Sequence, residues 1–159
     1  MKTFVLCIML LINGFLASSG QTENEINDFI TEWHNAAAAA DQEKFFNFID
    51  EDGIYIGTDS TEVWTKQQFY DWSKPHFDKN KAWSFKATQR NIYLSEDGTL
   101  VWFDELIDYG SGTLRGSGVL QKRDREWTIM HYVLSVPVPN EKFKEVMNVI
   151  RENNPSGSE

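Results

Sequence analysis

The chain has a single cysteine, Cys7, only four prolines and no basic run, and each scarcity removes a class of protein. One thiol cannot build a disulfide framework or a cysteine zinc site. With 15 basic against 24 acidic residues and a net charge of −9, the chain is poorly suited to nucleic acid backbones or anionic lipid. His34, His76 and His131 share no close spacing with one another, and Asp50-Glu51-Asp52 lacks the alternating ligands of a calcium loop, so no metal is predicted. Gly110-Ser111-Gly112 and Gly116-Ser117-Gly118 are followed by strands rather than helices, and no Gly-x-Ser-x-Gly elbow occurs. No cofactor is expected. The only sequon-like triplet, Asn154-Pro155-Ser156, fails because of its proline.

What remains is rich in apolar and aromatic groups. The 159 residues are 41% hydrophobic and 14% aromatic, with 11 Phe and 6 Trp, enough for one sizeable core and too short for two full domains. Residues 1–20 have the three regions of a secretory signal peptide: Lys2, an apolar run from Phe4 to Leu16, and the small residues Ala17-Ser18-Ser19-Gly20 before the expected cleavage. That run is too short to span a bilayer as an anchor. Cys7 lies inside it, so the mature chain is expected to be cysteine-free, secreted or periplasmic, and detached from the membrane once cleaved. Without Lys2 the balance is 14 basic against 24 acidic residues, a net of −10.

Residues 21–152 read as one α+β domain, and 153–159 as a polar tail. Thr22-Glu23-Asn24-Glu25 fits a capping box, opening a helix with Ile26, Phe29, Ile30, Trp33, Ala37 and Ala40 at helical spacing. Asp41 can cap a second short helix that Asp52-Gly53 ends, followed by a strand from Ile54 to Gly57. Thr65-Lys66-Gln67-Gln68 opens a third helix with Phe69, Trp72 and His76 on one stripe, which Pro75 is expected to kink or shorten. Four strands of an antiparallel meander follow, at Trp83–Ser95, Val101–Tyr109, Leu114–Lys122 and Glu126–Ser135, and then a terminal helix from about Asn140 with Phe143, Val146, Met147 and Ile150 as its apolar face.

This order of elements resembles the nuclear transport factor 2-like superfamily, and more narrowly its SnoaL-like branch. The residues that carry the resemblance are the run from Asp52 to Asp59, then Thr61-Glu62-Val63-Trp64, and the closing Glu126-Trp127-Thr128-Ile129-Met130-His131-Tyr132. The resemblance implies a cone in which a curved antiparallel sheet wraps the N-terminal helices and leaves a pocket at its wide end. It also implies a homodimer, and either ligand binding, assembly of larger complexes, or isomerase, cyclase or dehydratase chemistry by an Asp, Glu or His in the cone.

Turn length fixes hairpin register. If Asp97-Gly98, Ser111-Gly112 and Asp124-Arg125 are all two-residue turns, Arg90, Glu105, Gly118 and His131 fall in one transverse row. The apolar row Ile92, Phe103, Leu120 and Ile129 lies beside it, with Thr88, Ile107, Gly116 and Val133 on the other side. A β-bulge in any strand would swap the faces beyond it. A few polar groups among apolar rows suit a ligand pocket, and Gly116 and Gly118 would leave it hollow. Arg90 and Glu105 can pair across adjacent strands, and Glu105 or His131 are the candidate bases if the chain is an enzyme. A buried ion pair and a core histidine are the rival readings of those groups. Trp64, Phe69, Trp72 and Phe77 are candidates to wall the mouth, plain core being the alternative, and Tyr55 could present its phenol. On the opposite face Asp108 is expected to pair with Arg115. Tyr93, Trp102, Leu106, Val119, Met130 and Tyr132 would form an apolar exterior suited to a homodimer interface. Three readings are therefore open: a binding domain for a small apolar molecule with one polar group, a cofactor-independent isomerase, cyclase or dehydratase, and a dimeric protein-assembly module.

Overall fold

A computed structural model describes residues 22–80 and 82–153. The expected leader at 1–20 and all of the expected tail but Asn153 lie outside them.

The first helix, α1, covers 22–38, and its stripe of Ile26, Ile30, Trp33 and Ala37 is almost wholly buried. It ends in a Schellman pair: Ala40 N–H donates to Ala37 O and Asp41 N–H to Ala36 O, both at 2.9 Å, with Ala40 in the left-handed region at φ 54°. Asp41 then caps α2 (Gln42–Asn47) by accepting from Lys44 N–H. The second helix stops at Asn47 rather than at Asp52-Gly53, because β1 (Ile49–Ile56) begins earlier than expected and carries Gly53 inside an irregular stretch. A Cβ at Gly53 would stand 2.8 Å from Ile129 O, so the close approach of two backbones explains the glycine.

Short β2 (Val63–Thr65) leads into α3 (Lys66–Asp78), whose capping box with Thr65 and Gln68 is formed as the sequence predicts. The helix runs through Pro75. Its buried stripe is Phe69, Ser73 and Phe77, so Trp72 and His76 sit one position around on the exposed flank.

The strands β3 (Lys86–Leu94), β4 (Leu100–Asp108), β5 (Thr113–Arg123) and β6 (Glu126–Ser135) form the meander. The sheet has six strands in the order β2-β1-β6-β5-β4-β3, with β1 parallel to β6. It curves without closing, and its inner face holds α1 and α2. A 3-10 turn at Asn140–Lys142 and the helix α4 (Phe143–Asn153) complete the described chain. The apolar side of α4 is uncovered: Phe143, Met147 and Ile150 are 59%, 37% and 47% exposed.

Three features change the expected register, the first a bulge in β3 that puts Ala87 rather than Thr88 opposite Ile107. The Asp124-Arg125 turn is the expected two-residue one, with both residues at positive φ, whereas the Asp97-Gly98 loop spans four residues, closed by Ser95 N–H donating to Leu100 O, and keeps the expected Arg90–Glu105 register. The loop between β4 and β5 is two residues longer. Asp108 accepts the Gly110 N–H at 2.9 Å, Gly110 takes φ 76°, and Tyr109 N–H donates to Gly112 O, so Asp108 pairs with Thr113 rather than Arg115. In β6, Leu120 opposes Ile129 while Val119 opposes His131, which leaves Met130 as a bulge. Beyond that bulge the faces exchange: Tyr132, expected outside, is fully buried, and His131, expected inside, stands with Val119 on the outer face.

Candidate functional site

The inner face carries two distinct constructions, a sealed polar cluster and an open aromatic cavity. The cluster is built on Glu105 of β4, which is 1% exposed. Arg90 opposes it on β3, as the first hairpin dictates, and donates from Nε and Nη2 to Oε2 at 3.0 and 2.8 Å. The other oxygen, Oε1, meets His34 Nε2 at 2.7 Å and accepts from the Tyr132 hydroxyl at 3.0 Å. His34 comes from α1, four residues after Ile30 on the buried stripe. Two further α1 residues fix the guanidinium: Arg90 Nη1 donates to Asn27 O, Asn27 Oδ1 and Thr31 Oγ1 at 2.8–3.0 Å.

The glycines explain why this arrangement closes. Gly116, not Gly118, lies opposite Glu105. A Cβ there would collide with the Tyr132 hydroxyl and stand 3.0 Å from Glu105 Oε1, and one at Gly118 would stand 2.7 Å from the Phe103 ring. The hollow that the two glycines leave is filled by Tyr132 and Phe103 rather than by a ligand.

Burial alone would push the Glu105 carboxyl upward and is the largest single influence on it. Together, the His34 and Arg90 contacts outweigh burial and hold it below the ordinary value of 4.5. Glu105 is therefore a carboxylate at neutral pH. Tyr132 is driven the other way, first by burial and then by the Glu105 charge, so its phenol stays protonated.

The cavity lies beyond this cluster, at the wide end of the cone, and encloses about 430 Å³. Tyr55 of β1, Trp64 of β2, Phe69 and Trp72 of α3, and Trp83 and Phe85 of the loop before β3 make its aromatic wall. Tyr109, Ser111, Leu114, Leu134 and Val136 close the far side. The planes of Tyr55, Trp64, Trp72 and Trp83 all lie within 24° of the central Phe69 ring or stack on a ring that does. Gly57, Thr58 and Glu62 from the β1–β2 turn form the rim. Glu62 Oε2 accepts the Asp59 N–H at 3.2 Å, and a Cβ at Gly57 would collide with that carboxylate. The Tyr55 phenol is pushed far above its ordinary range by burial first, then by the Glu62 and Glu105 charges.

Of the residues that the sequence put forward for ligand contact, Tyr55, Trp64, Phe69 and Trp72 line the cavity. Phe77 does not, being packed against Phe45, Phe46 and Trp83 in the core. Arg90, Phe103, Glu105 and Gly118 face inward but do not line the cavity, and the cluster meets the cavity wall where Tyr55 packs against Tyr132 and Phe85 against His34. His131 is removed from the row by the Met130 bulge. The sequence does not mark His34, Trp83 or Phe85 as pocket residues, and it gives Asp59 and Glu62 only as turn residues making local backbone hydrogen bonds, which both do make. His34 could have been found as a polar residue on the apolar stripe of the first helix, and Glu62 as a carboxylate two residues before Trp64. Among the described residues no group of three or more His, Asp or Glu is placed to hold a metal ion.

The sequence profile of the SnoaL-like domain family matches residues 26–139. No curated protein matches the chain. Among solved structures, a nuclear transport factor 2-like protein of unknown function from Pseudomonas putida is similar, at 16% identity and TM-score 0.64, over 77% of this chain and 92% of that one. A second such protein, from Cytophaga hutchinsonii, has 18% identity and TM-score 0.59 over 72% and 98%. The association domain of CaMKII from C. elegans has 13% identity and TM-score 0.63 over 75% and 98%. Likeness at these identities concerns the fold.

Proposed function

This chain belongs to the SnoaL-like domain family, which generally supports small-molecule binding or isomerase-type chemistry, and from that premise we propose that it is a binding protein for a small, largely apolar molecule held in the aromatic cavity. One observation carries the reading: the open volume is walled by rings, while the acid–base groups of the cone are sealed beneath it. About 430 Å³ falls within the range of ligand pockets, roughly 300–1,000 Å³. A general base must reach the proton it removes. Glu105 is 1% exposed, holds contacts from Arg90, His34 and Tyr132, and does not line the cavity, which favours binding over turnover by Glu105. His131 stands on the other face of the sheet.

The proposal includes export and self-association. The leader at 1–20 would direct the chain to the periplasm or the exterior, with Gln21 as the new N-terminus. The outer sheet face presents Tyr93 and Trp102, 46% and 48% exposed and stacked at 6.0 Å, next to Leu100. Exposed apolar area of that kind suits a second copy of the chain.

Thermal-shift and native mass spectrometry screens against steroid-like, polyketide-like and aromatic compounds test the binding reading. A ligand at about 100 times its Kd adds roughly 2.7 kcal/mol of stability, a rise of several degrees in Tm. Trp64→Ala should abolish that rise. A cavity that takes up none of these compounds would overturn the reading, and a mass of one chain in light scattering would overturn the dimer.

A further inference from the structure

We propose that the polar group of the ligand is a cation, so that the cavity selects an amine or quaternary ammonium carried on an apolar or aromatic body. The inference rests on the binding reading above and adds the sign of the charge. Two independent features point to it. Among the described residues lining the cavity, Glu62 is the one acidic side chain and there is no Lys, Arg or His. The remaining wall is dominated by the faces and edges of Tyr55, Trp64, Phe69, Trp72, Trp83 and Phe85, and aromatic faces attract cations through the ring quadrupole, Trp most strongly.

The charges beneath the cavity do not offset Glu62. Arg90 is matched by Glu105 at 2.8 Å, so that pair contributes little net field. An anionic ligand would meet an unopposed carboxylate and ring faces of the same sign, with no donor cluster to receive it. A neutral ligand would gain the apolar contacts and, through a hydroxyl, one hydrogen bond to the carboxylate. Only a cation adds charge attraction to both Glu62 and the ring faces. Glu62 also has a local task, since its Oε2 ties the β1–β2 turn through Asp59 N–H. Glu62→Gln separates the two roles, because the amide oxygen can still accept that hydrogen bond while the charge is removed.

The test uses three probes of one shape in the mature chain: 2-phenylethylamine, 2-phenylethanol and 3-phenylpropanoate, with tryptophan fluorescence and calorimetry as readouts. The amine should bind about threefold to thirtyfold more tightly than the alcohol, and the acid more weakly than either. Glu62→Gln should remove most of the amine's advantage and leave the alcohol's affinity within about twofold. The chain keeps a strongly negative net charge in that variant, so non-specific attraction of the amine would survive the substitution and be recognised. Equal binding of alcohol and amine, or an amine preference undiminished in Glu62→Gln, would overturn the inference while the binding reading stands. Failure of all three probes would overturn the inference, and the binding reading falls with it if the wider compound screen also finds no ligand.

Discussion

Replacing Glu105 by glutamine tests the central electrostatic claim, because it changes the charge and almost nothing of the shape. Side-chain exposure at the pair is 5% for Arg90 and 0% for Glu105, so solvent screening does not dilute the interaction. Removing one member of a buried ion pair leaves the other charge uncompensated and costs about 3–5 kcal/mol. Here Arg90 keeps its bonds to Asn27 and Thr31, but these are dipoles and not a counter-charge. The glutamine NH2 must also face either the guanidinium, a donor, or His34 Nε2, which would have to change tautomer to accept it. Out of a total stability of roughly 5–15 kcal/mol, such a loss should be plain in urea unfolding at about pH 7. The pH dependence supplies the second half of the test. The folded-state carboxyl is held below its ordinary value of 4.5, so the folded chain releases this proton more readily than the unfolded chain. The parent protein therefore has the full benefit above the unfolded value and loses it as pH falls through the folded value. Glu105→Gln lacks this contribution, so the gap between the two proteins should shrink as pH is taken below the ordinary carboxyl value of 4.5. A loss below about 1 kcal/mol at neutral pH, or a gap unchanged by acid, would refute the view that a buried carboxylate organises the cluster.

Two further substitutions probe backbone positions. Gly116→Ala should cost about 1–3 kcal/mol, because the new Cβ displaces the Tyr132 hydroxyl from Glu105; an unaffected denaturation midpoint would show that Tyr132 can move aside freely. Ala40→Gly should raise stability by about 0.5–1 kcal/mol, since Ala40 holds the left-handed position that closes α1 at φ 54°; a lower midpoint would mean that unfolded-state entropy outweighs the relieved strain.

What the sequence reveals stops where side chains begin to control backbone geometry. Helix caps at Asp41 and Thr65, the hairpin register across Asp97-Gly98 and the Arg90–Glu105 pair all follow from short-range rules, and all are present. The row fails one strand later, because Asp108 spends its carboxylate on the Gly110 N–H and lengthens the turn by two residues. A two-residue change preserves the inside and outside of β5, so both glycines remain inward while Gly116 comes opposite Glu105 and Gly118 opposite Phe103. The Met130 bulge is a one-residue change and inverts everything after it, which is why His131 and Tyr132 trade places.

That inversion also explains the missing member of the cluster. With His131 outside, Glu105 Oε1 would lack a charged or strong donor from the sheet, and the Tyr132 hydroxyl meets only part of that need. The remaining acceptor capacity is met from the helix that the sheet wraps, by His34, whose place on the stripe four residues after Ile30 brings Nε2 to 2.7 Å from Oε1. A carboxylate buried beside an arginine thus implies a further donor on the facing helix. The first helix offers only one ring nitrogen on its buried stripe that reaches it. The same closure frees the wide end of the cone from acid–base duty, and it leaves the charge of Glu62 to face the aromatic wall without a partner of opposite sign among the described lining residues.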